Sequence, residues 1–123
     1  MKRKFRLSDK EDFQRVRRDG RSWSNQMTVL CAQRNDLGHN RYGFAVSRRI
    51  GKAVIRNRVK RLLREAVRLR HDTIAPGWDL VFIARGPIRG ATFQTVDSMV
   101  TQLLHRAALL VGHDNEDSST GTD

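Results

Sequence analysis

Residues 41–70 read RYGFAVSRRIGKAVIRNRVKRLLREAVRLR, and the second half of this run can satisfy its apolar side chains in only one way. As a helix from about Ala53 to His71, Ile55, Val59, Leu62, Ala66 and Leu69 recur at intervals of four and three and form one stripe. Asn57, Lys60, Arg61, Arg64 and Arg68 fall on the opposite side, with Arg56 and Arg58 at the flanks. Such a helix buries its stripe in a core and turns a dense positive face outward. Between Arg48 and Arg70 there are ten Lys or Arg and one acid, Glu65. Like charges one turn apart repel, so this face is costly unless a polyanion neutralises it. Solvated helices normally mix signs, and a membrane-surface helix would carry Trp or Phe on its apolar face. Neither pattern is found here. Nucleic-acid phosphate is the expected partner, and a membrane is not.

The rest of the composition agrees. The chain has 123 residues, enough for one domain with a modest core, and a net charge of +11. All 24 Lys and Arg but only nine of the 13 acids precede Gly112, so the body carries +15. The expected organisation is a basic domain over residues 1–112 and an acidic, disordered tail over 113–123, HDNEDSSTGTD. The only cysteine, Cys31, excludes an internal disulfide or zinc cluster and suits a reducing cytoplasm. No apolar run approaches membrane-spanning length, and MKRKFRLSDKEDF lacks the hydrophobic region of a signal peptide.

Taken in order, Met1–Arg6 is a basic arm expected to be loose. Ser8-x-x-Glu11 reads as a capping box opening a helix over about Asp9–Arg18, stopped by Gly20. Phe13 and Val16 give that helix an apolar edge. A short extra strand is expected near Trp23, a strand over Met27–Arg34, a hairpin loop over Asn35–Asn40 and a second strand over Arg41–Arg48. In the second strand Tyr42, Phe44 and Val46 point one way, toward the core, and Gly43, Ala45 and Ser47 the other. That small row leaves a shallow face for the first helix, for an extended nucleic-acid strand, or for both as the walls of a groove. After the basic helix, Asp79–Arg85 is a buried strand, Thr92 an N-cap, and Phe93–Val111 a last helix ended by Gly112. The fold class is α+β: a two-layer sandwich of one small sheet with helices mainly on one face, in the order α-β-β-α-β-α.

A protein nuclease needs carboxylates for Mg²⁺ or a His pair for acid–base work. Here Asp9, Glu11 and Asp12 are explained by capping, while Glu65 and Asp72 are isolated among cations. His39, His71, His105 and His113 share no spacing that places two on one face. No catalytic or metal-binding residue is therefore expected in this chain.

Ala53-x-x-Arg56-Asn57-Arg58-Val59-Lys60-Arg61-Leu62-x-Arg64 resembles the signature of the protein component of bacterial ribonuclease P. Gly43-Phe44-Ala45-Val46-Ser47 and Arg48-Arg49-Ile50-Gly51 match as well, and the resemblance covers about residues 5–111. It implies a fold like domain 2 of ribosomal protein S5, with a left-handed crossover around the basic helix. It also implies the protein subunit of a ribonucleoprotein endoribonuclease that removes the 5′ leader of precursor tRNA and leaves the mature 5′ end. In that family the RNA subunit holds the active site and its Mg²⁺, and the protein binds the RNA and the leader and broadens substrate use. Arg56, Asn57, Arg58, Lys60, Arg61 and Arg64 match the RNA-binding motif, and Arg48, Arg49, Lys52 and Arg68 extend the basic surface by position. Leader contacts carried over by position are Phe13, Ala45 and Ser47, with Arg56 and Asn57 at the rim. Arg17 and Cys31 stand where relatives carry aromatics, which removes stacking and at Arg17 adds a phosphate contact. The competing assignments are a ribosome-binding module and a self-sufficient nuclease.

Overall fold

The computed structural model describes residues 1–111; the expected acidic tail and the Gly112 stop lie outside the described residues. The elements are α1 (Lys10–Asp19), β1 (Arg21–Ser24), β2 (Thr28–Arg34), β3 (Arg41–Ala45), α2 (Ala53–Arg70), β4 (Trp78–Ala84) and α3 (Phe93–Arg106). The α+β class holds, with four strands in one sheet ordered β1-β2-β4-β3.

The strand near Trp23 is β1, and it, rather than β3, forms the hairpin with β2. Asn25 sets that turn, its Oδ1 accepting from the amides of Met27 and Thr28 at 3.1 and 3.0 Å. The hairpin expected across Asn35–Asn40 is absent because β4 lies between β2 and β3, antiparallel to the first and parallel to the second. Asp79–Ala84 is almost wholly buried, so this strand needs a central place with neighbours on both edges. The loop is tied to the start of β4: Asn35 N–H donates to Gly77 O at 2.8 Å and Asn40 Oδ1 accepts from Trp78 N at 2.8 Å.

The sheet has two dressed faces. Leu30, Ala32, Tyr42, Leu80, Phe82 and Ala84 meet α2 and α3 in the main core. On the other face α1 sets Val16 against Cys31 and Val81, joined by Leu7 of the arm. Two of the three helices thus share one face. In β3, Tyr42 enters the main core and Phe44 stacks on Phe82 with ring centroids 5.9 Å apart, as the alternation requires.

Several boundaries move for local reasons. The cap of α1 is Asp9, whose Oδ1 accepts from Glu11 N at 2.9 Å, not Ser8. The arm is held, not loose. Leu7 is buried, its N–H donates to Tyr42 O at 2.8 Å, and Arg6 bridges to Tyr42 along the outer edge of β3. Strand β3 stops at Ala45, and Arg48–Ile50 forms a 3-10 turn. The buried stripe of α2 is rotated from the expected one: Val59, Leu63, Ala66 and Val67 are fully buried, whereas Leu69 is 54% exposed. An apolar arc four residues wide can be centred on either Leu62 or Leu63, and packing by α3 selects the second. Helix α3 is capped by Thr92 as expected, its Oγ1 accepting from Thr95 N at 3.2 Å. It ends at Arg106 instead of Val111 because Ala108 turns left-handed (φ 59°) and Leu109 N–H returns to Leu104 O at 3.0 Å. The chain then folds back, buries Leu109 and bridges Leu110 to Ile74.

One polar cluster locks α1 to the sheet. Asp79, completely buried, receives Arg41 through Nε and Nη2 at 2.9 and 2.8 Å, Arg15 Nη2 at 2.9 Å and Asn35 Nδ2 at 2.9 Å. Burial pushes this carboxyl up, but the donors of Arg41, Asn35 and Arg15 outweigh it and hold its pKa below the usual carboxylate range.

Candidate nucleic-acid interface

The basic surface begins where β3 leaves the sheet. Gly51 permits the tight connection, since its φ of 154° with ψ of −169° is a conformation essentially reserved for glycine. Arg56, one turn into α2, donates Nε to Gly51 O at 3.0 Å and braces that turn. The start of α2 breaks the usual rules for helix stability. Its N-cap Lys52 provides no side-chain bond, and no acid lies in the first turn, where the helix dipole favours one. By contrast, α1 carries Glu11 and Asp12 there. The positive end of α2 therefore coincides with Arg48, Arg49 and Lys52, a conjunction that suits an anion.

Along α2, Asn57, Arg58, Arg61, Arg64 and Arg68 are exposed, while Arg56 and Lys60 are half-buried. Arg48, Arg49, Lys52, Lys60, Arg61 and Arg64 make no side-chain hydrogen bond or ion pair among the described residues. Three others are engaged. Arg56 holds Gly51, Arg58 Nη2 donates to Ala91 O at 2.9 Å, and Arg68 is paired with Glu65. Arg68 thus carries less free charge than its position on the helix suggests.

A cavity of about 420 Å³ lies where α2, β3, α1 and the arm converge. Phe13, Gly43 and Phe44 line it together with Lys60, Arg64 and Arg6. Phe13 and Gly43 are matched: a Cβ on Gly43 would sit 2.5 Å from the tip of the Phe13 ring. Gly43 is consequently roofed by the ring instead of forming an open floor. Ala45 is half-buried and Ser47 exposed where the chain continues toward Gly51. Arg17, one turn past Phe13, is exposed.

Cys31 requires a correction. Expected on a leader-binding surface, it is 5% exposed and packed with Val16 and Val81 beneath α1. Burial pushes its thiol pKa up, as for an inert core cysteine. Arg6, Lys60 and Arg64 were not expected at the groove. The signal available for the arm was the apolar pair Phe5 and Leu7, which alternate as in a strand.

Five of the nine acids among the described residues are ion-paired, Asp79 as above. Asp12 meets Arg15 and Arg41, Asp19 meets Arg18, Glu65 meets Arg68, and Asp97 meets Arg70. Among the described residues no three His, Cys, Asp or Glu side chains gather as a metal site, and no helix is long and apolar enough to cross a membrane.

The family model for ribonuclease P matches residues 1–108. The ribonuclease P protein component of Roseiflexus castenholzii is 50% identical over 113 residues, covering 91% of this chain and 93% of that protein. That of Herpetosiphon aurantiacus is 43% identical, covering 97% and 95%. Among solved structures, the RNase P protein of Staphylococcus aureus superposes with a TM-score of 0.78 at 30% identity, covering 86% of this chain and 97% of that one. The RNase P protein of Thermotoga maritima gives 0.76 at 33% identity, covering 82% and 96%. With a signature, a fold and relatives that agree over nearly its whole length, the chain belongs to the ribonuclease P protein family, the protein components of a ribonucleoprotein endoribonuclease of tRNA processing.

Proposed function

We propose that this chain binds the catalytic RNA of ribonuclease P through Arg48, Arg49, Lys52 and the exposed face of α2, and receives the 5′ leader of precursor tRNA in the groove beside Phe13. The observation that carries the proposal is the row of cations at the positive end of α2 and along its outer face, of which Arg48, Arg49, Lys52, Lys60, Arg61 and Arg64 have no side-chain partner among the described residues. Catalysis and its Mg²⁺ belong to the RNA in this account. The protein's cations take the place of counterions that the RNA would otherwise have to gather. In the same account the complex works in the bacterial cytoplasm.

Protein freed of RNA should cleave no precursor tRNA, and adding it to the catalytic RNA should raise cleavage most at low Mg²⁺. Cleavage by the protein alone, or no gain at low Mg²⁺, would reject this division of labour.

The groove has its own test. Phe13 is half-buried on Gly43 and lines the cavity, so its ring can stack on a base without reading its identity. Phe13→Ala should weaken binding of long-leader precursors by about 1–3 kcal/mol and spare those with very short leaders. Arg17→Ala should reduce the salt dependence on long leaders only. Equal losses on both substrates would make Phe13 a packing residue and nothing more.

A further inference from the structure

A second cavity lies at the far end of α2 from Gly51, and the N-terminal arm builds it. The arm crosses the C-terminal end of α2 and encloses about 340 Å³ between Met1, Phe5, Tyr42 and His71. The Phe5 and His71 rings are 4.4 Å apart between centroids, and His71 meets Tyr42 edge-on at 5.7 Å. Two exposed cations line the same space, Lys2 and the Glu65-paired Arg68, with Asp72 as its acid.

The polar atoms within it are set by a relay. Asn40 Nδ2 donates to Tyr42 Oη at 3.1 Å, and the same oxygen is hydrogen-bonded to His71 Nδ1 at 2.8 Å. Burial pushes the Tyr42 hydroxyl up to about 12, which keeps it a donor. The other ring nitrogen of His71, Nε2, has no protein partner among the described residues. Asp72 likewise makes no side-chain hydrogen bond among the described residues. The space therefore offers aromatic walls, one ring nitrogen, one carboxylate acceptor and two cations at the exposed side. A flat heteroaromatic ring with polar edges, joined to a phosphate, matches each of these features. Packing explains the apolar walls, and the cations at their exposed side add a charge complementary to phosphate.

We infer that the cavity formed by Met1, Phe5, Tyr42 and His71 is a binding site for one unpaired RNA nucleotide, its base against Phe5 and His71 and its phosphate on Lys2, beside the Glu65-paired Arg68. The site rests on the RNA-binding role proposed above and extends that surface from α2 onto the arm, one turn beyond Arg64. The nucleotide comes from the catalytic RNA or from the precursor; both supply the same chemistry.

The test uses the full chain with its phenylalanine and histidine rings and its arginine side chains labelled for magnetic resonance. An oligoadenylate hexamer should shift the Phe5 and His71 ring signals, and an abasic ribose–phosphate hexamer should leave them in place while moving arginine signals. Equal shifts with both hexamers, or none with either, overturn the site. Phe5→Leu keeps apolar volume and removes the aromatic face, and Phe5→Tyr restores it. With the melting temperature of Phe5→Leu near the parent value, affinity should fall about 5- to 100-fold and recover in Phe5→Tyr. A fall for the catalytic RNA alone assigns the nucleotide to that RNA, and a fall only for precursor binding by the assembled complex assigns it to the precursor. No fall in either overturns the inference. If the unaltered protein fails to bind the catalytic RNA at all, the broader RNA-binding role has failed, and the hexamer comparison still decides the cavity.

Discussion

Replacing Asp79 with asparagine should destabilise the protein by about 3 kcal/mol, the lower end of what removing one partner of a buried ion pair costs. The carboxylate is completely buried and accepts hydrogen bonds from three elements: Arg15 on α1, Arg41 on β3 and Asn35 in the loop between β2 and β3. An asparagine of the same shape points an N–H₂ at donors and removes the one fully buried charge that Arg15, Arg41 and Asn35 share, leaving them Asp12, Gln33 and the His39 carbonyl. The lower end applies because Arg15 and Arg41 keep 32% and 24% side-chain exposure and can recover water. The pH dependence gives the sign. Because the folded-state pKa is depressed, the stabilisation is fully present above the unfolded value of about 3.9 and is lost as pH falls through the lower folded value. Denaturant titrations at neutral pH and below pH 4 should show the parent and Asp79→Asn converging in acid. A constant gap would mean that the effect is steric. Because Arg15 also fixes α1, the variant should loosen Phe13 over Gly43 and weaken leader binding more than binding of the catalytic RNA.

The larger functional effect belongs to the basic surface. Changing Arg48, Arg49, Arg61 and Arg64 together to alanine should reduce affinity for the catalytic RNA by about 10³-fold at 0.1 M salt, since each neutralised phosphate contributes nearly one decade there. Stability should hold or rise, because all four side chains are exposed and relief of like-charge repulsion favours folding. Circular dichroism and thermal melting of the free protein separate the two effects.

How much of this is legible in the sequence depends on the kind of signal. The basic face of α2 and the alternation in β3 are local patterns with fixed periods, and both appear where the residues place them. The strand order is not legible. A six-residue loop between two strands reads as a hairpin, and only the burial of β4 on both faces shows why that strand takes the place between them. The ends of helices are blurred for a similar reason. Ala108 is an unusual residue for a left-handed helix stop, and the stop is imposed by burial of Leu109. In the site, exposed cations can be assigned by helix face, whereas Cys31 cannot be placed, because strand parity does not say which helix covers a face. The arm reads as loose because its charge, from Lys2, Arg3, Lys4 and Arg6, hides the two apolar residues that anchor it.

The central claim is that the exposed cations of α2 and the connection before it contact RNA phosphates. The most direct measurement is the slope of log affinity against log salt for the catalytic RNA, taken with the parent protein and the variant lacking Arg48, Arg49, Arg61 and Arg64. The account predicts a steep parent slope that flattens by about 3 in the variant, at roughly 0.7–0.9 for each phosphate no longer neutralised. A variant that binds more weakly with an unchanged slope, or as tightly as the parent, would show that these arginines do not lie on RNA phosphate.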